Sequence, residues 1–228
     1  TPDHISWHGG FDAYAQAKFK MFANMPAAST AVVTDAVLDA YPELRAFLDE
    51  RGVKLVSVGA ERAASCAFED AHGTLVIKDG KGRCTELAQA CELGIQGAHN
   101  VENALCAVSA ALACECEPAC IREGLMSFRP LEHRLEPCGC IDGVDFFNDS
   151  KATNVDATLK ALTAFPGRKV VLLLGGRDKG TALDELVAAC AKTCRAVVAY
   201  GEAGERFYGA FAASPVECHL EAGMKQAL

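Results

Sequence analysis

The sequence predicts an α/β fold in two domains, the second of which contains a mainly parallel sheet covered on both faces. Strand and helix patterns alternate after residue 150, and the strand VVLLL at 170–174 is wholly apolar. Parallel strands that are buried on both faces have this composition. The length of 228 residues allows one large or two smaller domains, and Arg129-Pro130 is the best boundary. We therefore expect domains over residues 1–130 and 131–228.

In the first domain, the spacing of apolar residues predicts four helices and four strands. The helices cover residues 11–22, 36–48, 97–113 and 118–128. Two strands cover residues 30–33 and 53–58, and two more, between residues 66 and 77, pair across the turn DAHG at 70–73.

In the second domain, the pattern begins with a hairpin and continues with alternating helices and strands. Asp142-Gly143 is a strong turn signal between strands over 135–140 and 144–147. The elements that follow are helices over 154–163, 183–191 and 204–211 and strands over 169–174 and 195–200. Residues 221–228 read as a further helix without a stop signal, and the sequence has no initiating Met, so we expect a fragment.

The composition excludes several classes of partner and location. Lys and Arg number 22 against 30 Asp and Glu, a formal net charge of −8, and no basic tract is present. A nucleic acid or an anionic membrane surface is therefore not an expected partner. No apolar run is long enough to span a bilayer and no signal peptide is recognisable, so we expect a cytoplasmic protein. The 12 cysteines include no CxxC pair and no zinc-like spacing, and we interpret them as reduced, small hydrophobic residues.

The strongest candidate site is the stretch NDSKATN at 148–154, directly after a predicted strand. Ligands of parallel α/β sheets bind where strands end. A carboxylate such as Asp149 can accept from ribose hydroxyls, and Lys151 can hold a phosphoryl group. The alternative is that Asn154 or Thr153 merely caps the next helix while Lys151 is solvated. Capping explains only one of the seven residues, so we favour a functional role.

A second candidate is the turn GGRDKG at 175–180, after the apolar strand. Glycines permit a tight turn and close ligand approach, and Lys179 favours an anionic ligand. The pattern matches neither GxGxxG nor GxxxxGK[ST], so as a glycine motif it is weak. A loop that needs glycine for its geometry and carries two solvated charges remains an equal alternative.

Two further sets of polar residues lie on predicted helices or at the domain boundary. Asn100 and Asn103 share one helix face, where side-chain amides can bind an adenine edge, although helix capping by His99 and Asn100 is the simpler alternative. Arg134, at the start of the second domain, either neutralises a phosphate or pairs with Glu132 or Glu136.

The last set stands near the start of the chain. His4 has the chemistry of a metal ligand, whereas a protonated Lys18 in an alanine-rich helix does not, and is usually solvated. The residues alone therefore give no reason to pair the two.

Taken in order, these motifs resemble the Mur ligase family and, within it, the MurD type that adds D-glutamate. The strings that carry the resemblance are DH at 3–4, the Lys18 helix, GAHNVENA at 97–104, EHRLE at 132–136, NDSKATN at 148–154 and LGGRDKG at 174–180. NDSKATN and LGGRDKG are the most specific, because sister ligases carry DYAH-like or DxAHNP-like strings at the first of these positions. The resemblance covers essentially the whole chain.

The resemblance implies three domains: an N-terminal UDP-binding domain, a central ATPase domain and a Rossmann-like C-terminal domain with a mainly parallel sheet. It assigns residues 1–130 to the C-terminal part of the central domain and 131–228 to the C-terminal domain, incomplete at its end. The family's GxxxxGK[ST] phosphate loop, the magnesium-binding glutamate after it and the last D-glutamate-contacting segment are not in the sequence. We therefore expect the chain alone to be inactive.

The resemblance also assigns roles to residues of the first domain. Lys18 matches the lysine that CO2 carbamylates in this family, which makes it a carboxylate-like ligand for Mg2+ beside His4. This implies that His4 and Lys18 are catalytic and metal-binding, with His4 also close to substrate. Asn100 and Asn103 match residues that contact the adenine of ATP.

In the second domain, the resemblance implies that Arg134, Asp149 and Lys151 hold the ribose and phosphates of ATP, with Lys151 also catalytic. Thr153 and Lys179 match contacts to the α-carboxylate of D-glutamate.

The implied reaction is ATP-dependent ligation of D-glutamate to UDP-N-acetylmuramoyl-L-alanine through an acyl phosphate, in the cytoplasmic stage of bacterial peptidoglycan synthesis. We expect a monomer that requires ATP and Mg2+. Two alternatives stay open: an oxidoreductase that binds a dinucleotide at the 170–180 turn, although its glycine and acidic spacing argue against this, and a ligase-like binding module without turnover.

Overall fold

The computed structural model describes residues 5–60, 65–79, 81–95, 97–177 and 180–228. The chain divides into two compact units, Thr1–Pro130 and Leu131–Leu228. Within the described residues no helix is both long and apolar enough to cross a membrane, and no disulfide bond joins two cysteines.

The first unit is built on a mixed five-stranded sheet with helices on both faces. The strands, in sheet order, are β1 (Thr30–Thr34), β2 (Lys54–Ala60), β3 (Ser65–Glu69), β4 (Thr74–Lys78) and β5 (Cys84–Gln89). The pairs β1–β2 and β2–β3 are parallel, whereas β3–β4 and β4–β5 are antiparallel. The helices are α1 (Ile5–His8), α2 (Phe11–Ala23), α3 (Asp35–Ala40), α4 (Glu43–Glu50), α5 (Ala98–Ala113) and α6 (Pro118–Ser127).

Two apolar clusters bury this sheet. On one side, Leu105 and Val108 of α5 pack with Val58 and Leu75 of the sheet. The second cluster joins α2, α3 and α4 to β1 and contains Phe22, Val33, Leu38, Leu44 and Leu48. Burial of this apolar area stabilises the unit at roughly 25 cal/mol per Å².

The structure confirms the predicted strands of the first unit and corrects one helix. The helix predicted over 36–48 is wrong as a single element, because α3 ends at Ala40 and α4 begins at Glu43. Pro42 disfavours helical backbone at Tyr41, whose φ and ψ are −134° and 70°. Strand β5 was not predicted, because the first half of its sequence CTELAQ is solvent-exposed and does not alternate.

The second unit consists of a β-hairpin followed by a parallel sheet with its helices. The hairpin strands are β6 (Glu136–Ile141) and β7 (Val144–Asn148), and the parallel sheet has the order β10 (Glu217–Glu221), β9 (Cys194–Tyr200), β8 (Val170–Leu174). The helices are α7 (Val155–Leu162), α8 (Asp184–Thr193), α9 (Gly204–Ala210) and α10 (Met224–Ala227).

The predicted hairpin is confirmed. Ile141 pairs with Val144, and the two turn residues between them, Asp142 and Gly143, have φ values of 50° and 81°. Positive φ at both central positions is the geometry of a type I′ turn, which matches the twist of the strands. The hairpin is anchored by an edge-on contact of 4.9 Å between the ring centroids of Phe147 and Phe165.

The parallel sheet is confirmed, but β8 is not covered on both faces as predicted. Leu174 is buried and Leu172 packs against the same cluster, which also contains Leu186, Cys190 and Val197. Val171 points to the opposite face, where its side chain is 50% exposed. An apolar run alone cannot show which of its two faces a neighbour covers. Residues 217–221 form strand β10, which the sequence analysis did not predict, and only Met224–Ala227 of the predicted last helix is helical.

Candidate functional site

The side chain of Lys18 on α2 is exposed. Lys18 follows the buried Ala15 by three positions and precedes the buried Phe22 by four, so it lies on the same face of the helix as these two residues. Its Nζ lies 5.3 Å from the centroid of the Tyr14 ring, one helical turn earlier, within the range of a cation–π contact. His4 lies outside the described residues, so its predicted pairing with Lys18 stays a prediction.

The described residues do not by themselves form a magnesium site. Among them, no group of three or more His, Cys, Asp or Glu side chains is arranged to hold a metal ion. A Lys18 ammonium offers no lone pair, and Mg2+ prefers oxygen ligands.

Asn100 and Asn103 form a pair on the first turns of α5. Nδ2 of Asn103 donates to Oδ1 of Asn100 at 3.3 Å, so the predicted common face is confirmed. The N-cap residue of α5 is Gly97, so neither His99 nor Asn100 occupies the N-cap position. Asn103 is exposed and Asn100 half-buried, which leaves amide groups accessible to a ligand such as a purine edge.

In the second unit, two segments that are separate in sequence meet at the base of the hairpin. The backbone N–H of Lys151 donates to the carbonyl of His133 at 3.1 Å. The backbone N–H of Leu135 donates to Oδ1 of Asp149 at 3.1 Å. These contacts bring together residues 133–135 and 149–151, so Arg134, Asp149 and Lys151, which were predicted from two motifs, belong to one cluster.

Glu136, His133 and Asn148 join the two segments by side-chain contacts. Oε2 of Glu136 accepts from the backbone N–H of His133 at 2.8 Å and lies 3.5 Å from Nδ2 of Asn148. Nδ2 of Asn148 lies 2.8 Å from Nδ1 of His133. Asn148 belongs to the candidate stretch at 148–154, whereas Glu136 was considered only as a partner of Arg134. Glu136 pairs with Asn148 across the hairpin.

The cations of this cluster are available to a ligand. Arg134 and Lys151 are both exposed, and within the part of the chain that the structure describes neither side chain forms a hydrogen bond or ion pair. The alternative pairing of Arg134 with Glu136 is not observed, because His133 and Asn148 contact that carboxylate. Two accessible cations beside a carboxylate suit a phosphorylated sugar, since the cations can bind phosphate and the carboxylate can accept from hydroxyls.

Asn154 caps α7, as the alternative interpretation of this stretch predicted. Its Oδ1 accepts from the backbone N–H of Ala157 at 2.8 Å. Thr153 is exposed and does not cap the helix. Capping therefore explains Asn154 and leaves the other polar residues of the stretch to be explained.

The first two glycines of the turn after β8 each have a structural reason. Gly176 has a φ of 102°, which favours glycine. A Cβ atom at Gly175 would lie 2.8 Å from Cε1 of Tyr200 and closer still to two other ring carbons. The carbonyl of Gly176 accepts from the N–H of Ala203 at 3.1 Å. Lys179 lies outside the described residues, so the predicted role of this turn in anion binding stays a prediction.

Comparisons with known proteins agree on the family. The Mur ligase middle domain matches residues 1–111, and the Mur ligase glutamate ligase domain matches residues 133–228. The chain is 41% identical over 202 residues to the UDP-N-acetylmuramoylalanine--D-glutamate ligase of Koribacter versatilis. The alignment covers 85% of the chain and 42% of that protein. It is 35% identical over 208 residues to the protein of the same name from Streptococcus mutans, with coverages of 90% and 43%. The chain thus spans less than half the length of these curated relatives.

Solved structures show the same fold at low identity. The chain matches MurC, a UDP-N-acetylmuramate-alanine ligase from Thermotoga maritima, with a TM-score of 0.68 and 17% identity over 97% of the chain and 49% of that protein. It matches folylpolyglutamate synthase of Mycobacterium tuberculosis, solved with ADP and AMPPCP, with a TM-score of 0.69 and 18% identity over 96% of the chain and 52% of that protein.

The fold defines the class of protein as an α/β protein with two compact units. The two matched domains leave out only residues 112–132 of the chain. The chain belongs to the Mur ligase family.

Proposed function

We propose that the protein is an ATP-dependent ligase that adds D-glutamate to UDP-N-acetylmuramoyl-L-alanine in bacterial peptidoglycan synthesis. The observation that carries the proposal is the cluster of Arg134, Asp149 and Lys151, built by the motif NDSKATN and the segment before β6. The names of relatives at 31–41% identity support the choice of D-glutamate as the amino acid. A cytoplasmic, monomeric enzyme is part of the same proposal.

The groups of the second unit would bind and orient ATP. Lys151 and Arg134 would neutralise the phosphates, and Asp149 would accept from a ribose hydroxyl. Thr153 and Lys179 would bind the α-carboxylate of D-glutamate. In the first unit, Asn100 and Asn103 would contact adenine.

The reaction would proceed in two steps. A carboxylate oxygen of the alanyl substrate attacks the γ-phosphorus of ATP, which forms an acyl phosphate and releases ADP. The amine of D-glutamate then attacks the acyl carbon, and the tetrahedral intermediate expels inorganic phosphate and loses a proton as the amide forms. Phosphoryl transfer leaves the protein little covalent work, so charge neutralisation and positioning by groups such as Lys151 would supply most of the catalysis.

We also propose that Lys18 carries a carbamate, which with His4 would hold Mg2+. When bound, the ion would neutralise charge on the triphosphate. A carbamate converts the exposed Lys18 cation into the oxygen ligand that the described residues lack. A carbamate signal in the 13C spectrum of protein supplied with 13CO2, absent from Lys18→Ala, would support this, and an identical spectrum of that variant would contradict it.

The test of the function is ADP formation by the complete protein with each substrate omitted in turn. We expect ADP only when UDP-N-acetylmuramoyl-L-alanine and D-glutamate are both present. Lys151→Ala should reduce the rate by about 100-fold or more, because the removed charge acts on the phosphates. Lys160→Ala is the matched control, since Lys160 on α7 pairs with Asp156 at 3.2 Å and is half exposed. A near-normal rate for Lys151→Ala would reject its phosphate role.

The 228 residues alone should show no ligation and at most weak nucleotide binding. Turnover by this chain alone would contradict the assignment of its domains.

A further inference from the structure

His133 is held in an uncommon backbone conformation at the hairpin base. Its φ is 66°, and that of Leu135 is 45°, both in the left-handed region that residues other than glycine rarely adopt. Three contacts hold this segment: His133 N–H to Glu136, Leu135 N–H to Asp149, and Lys151 N–H to the His133 carbonyl. Unusual backbone that the surroundings enforce in this way is concentrated at functional sites.

The orientation of the Asn148 amide fixes the protonation of the His133 ring. The backbone N–H of Ser150 donates to Oδ1 of Asn148 at 3.0 Å, so that side-chain atom is the acceptor oxygen. The amide nitrogen therefore faces Nδ1 of His133 at 2.8 Å. An amide NH2 can only donate, so Nδ1 must accept and the ring proton must be on Nε2.

From this geometry we infer that His133 is a positioning residue for the phosphate-binding turn. The unprotonated Nδ1 of His133 accepts from the side-chain amide of Asn148, and Oδ1 of Asn148 accepts from the N–H of Ser150. The carbonyl of His133 accepts from the N–H of Lys151. The ring and the carbonyl thus fix both ends of the 148–151 segment that presents Asp149 and Lys151. The inference rests on the proposed function for its catalytic consequence, but the arrangement itself can be tested without activity.

Loss of the acceptor at residue 133 would release this turn. Without Nδ1 of His133, the amide nitrogen of Asn148 keeps only its contact of 3.5 Å with Oε2 of Glu136. A side chain at 133 that cannot accept should therefore loosen the 148–151 segment while the rest of the fold is unchanged.

The test is NMR of the 228-residue chain with 15N-labelled imidazoles. We expect the Nε2–H tautomer for His133, identified by the signal that is missing in His133→Asn. The backbone amides of Ser150 and Lys151 should shift when the acceptor at 133 is removed in His133→Leu. The Nδ1–H tautomer, or unchanged positions of these amides in His133→Leu, would overturn the inference.

Three variants separate positioning from a merely structural role. The side-chain oxygen of an asparagine at 133 can accept where Nδ1 does, so His133→Asn should keep the wild-type positions of the Ser150 and Lys151 amides. His133→Leu should lose them, and His219→Asn, which changes an exposed histidine of β10, should behave as wild type. Identical behaviour of His133→Asn and His133→Leu would contradict the acceptor role.

The same variants in the complete protein give a kinetic readout. His133→Leu should raise the KM for ATP about tenfold, as expected for one lost hydrogen bond, while His133→Asn should retain the wild-type KM. If the wild-type protein adds no D-glutamate, the proposed function fails and the NMR result still decides the inference. If the protein is active and His133→Leu has the wild-type KM, the positioning role fails.

Discussion

Gly175→Ala offers a sharp test of the packing around the glycine turn. The φ of Gly175 is not positive, so alanine is allowed by the backbone, and the only penalty is steric. The added methyl would lie 2.8 Å from Cε1 of Tyr200 and closer still to two other carbons of the same ring. Overpacking of this kind costs about 1–3 kcal/mol. For a unit of this size, each kcal/mol corresponds to a fall in Tm of roughly 4–8 °C.

The measurement must report on the second unit, because the single tryptophan, Trp7, lies in the first. Hydrogen exchange of the β9 amides in increasing urea does so. Gly209→Ala is the control, since nothing lies within 4 Å of the methyl that it adds to α9, and it should stabilise by about 0.5–1 kcal/mol. In a Tyr200→Ala background the cost of Gly175→Ala should nearly vanish. An equal cost in both backgrounds, or none in either, would refute the steric argument.

Three further predictions concern the second unit. Asn154→Ala should destabilise it by about 1 kcal/mol in urea unfolding, because a helix cap is lost; no change would mean that water replaces the cap. Gly143→Ala should cost about 1 kcal/mol in the same assay, because its φ is 81°; a neutral result would show that the turn adapts. The Arg168 guanidinium, 2.8 Å from Asp145, lowers the pKa of that carboxyl below its ordinary 3.8. The ion pair therefore stabilises the fold fully above pH 3.8, and this stabilisation is lost as the pH falls through the lowered pKa. Arg168→Ala should destabilise at neutral pH by an amount that shrinks as the pH falls below 3.8, and a pH-independent difference would contradict this.

Local patterns predicted most of the second unit, because each element has a strong local signal. The apolar run at 170–174, the Asp142-Gly143 turn and the contiguous stretch at 148–154 all appear where the sequence indicates. Pro42 also indicates the break between α3 and α4. The prediction of one helix was wrong because the helical spacing of apolar residues continues across this proline.

The links within the candidate site could not be predicted, because they depend on a strand register. Counting outward from the hairpin turn places Pro137 opposite Asn148. A bulge between Pro137 and Gly139 shifts the pairing by one residue and puts Glu136 there instead. Only this shift brings the Glu136 carboxylate to Asn148 and His133, and nothing in the local sequence specifies it.

Product analysis with two acceptors tests the central claim most directly. The complete protein is supplied with ATP and either UDP-N-acetylmuramoyl-L-alanine with D-glutamate or a folate with L-glutamate, the pair suggested by the name of the synthase of similar fold. We predict that D-glutamate is joined to the muramoyl nucleotide with one ADP per amide formed, and that the folate is not extended. Extension of the folate, or ADP formation independent of D-glutamate, would contradict the assignment.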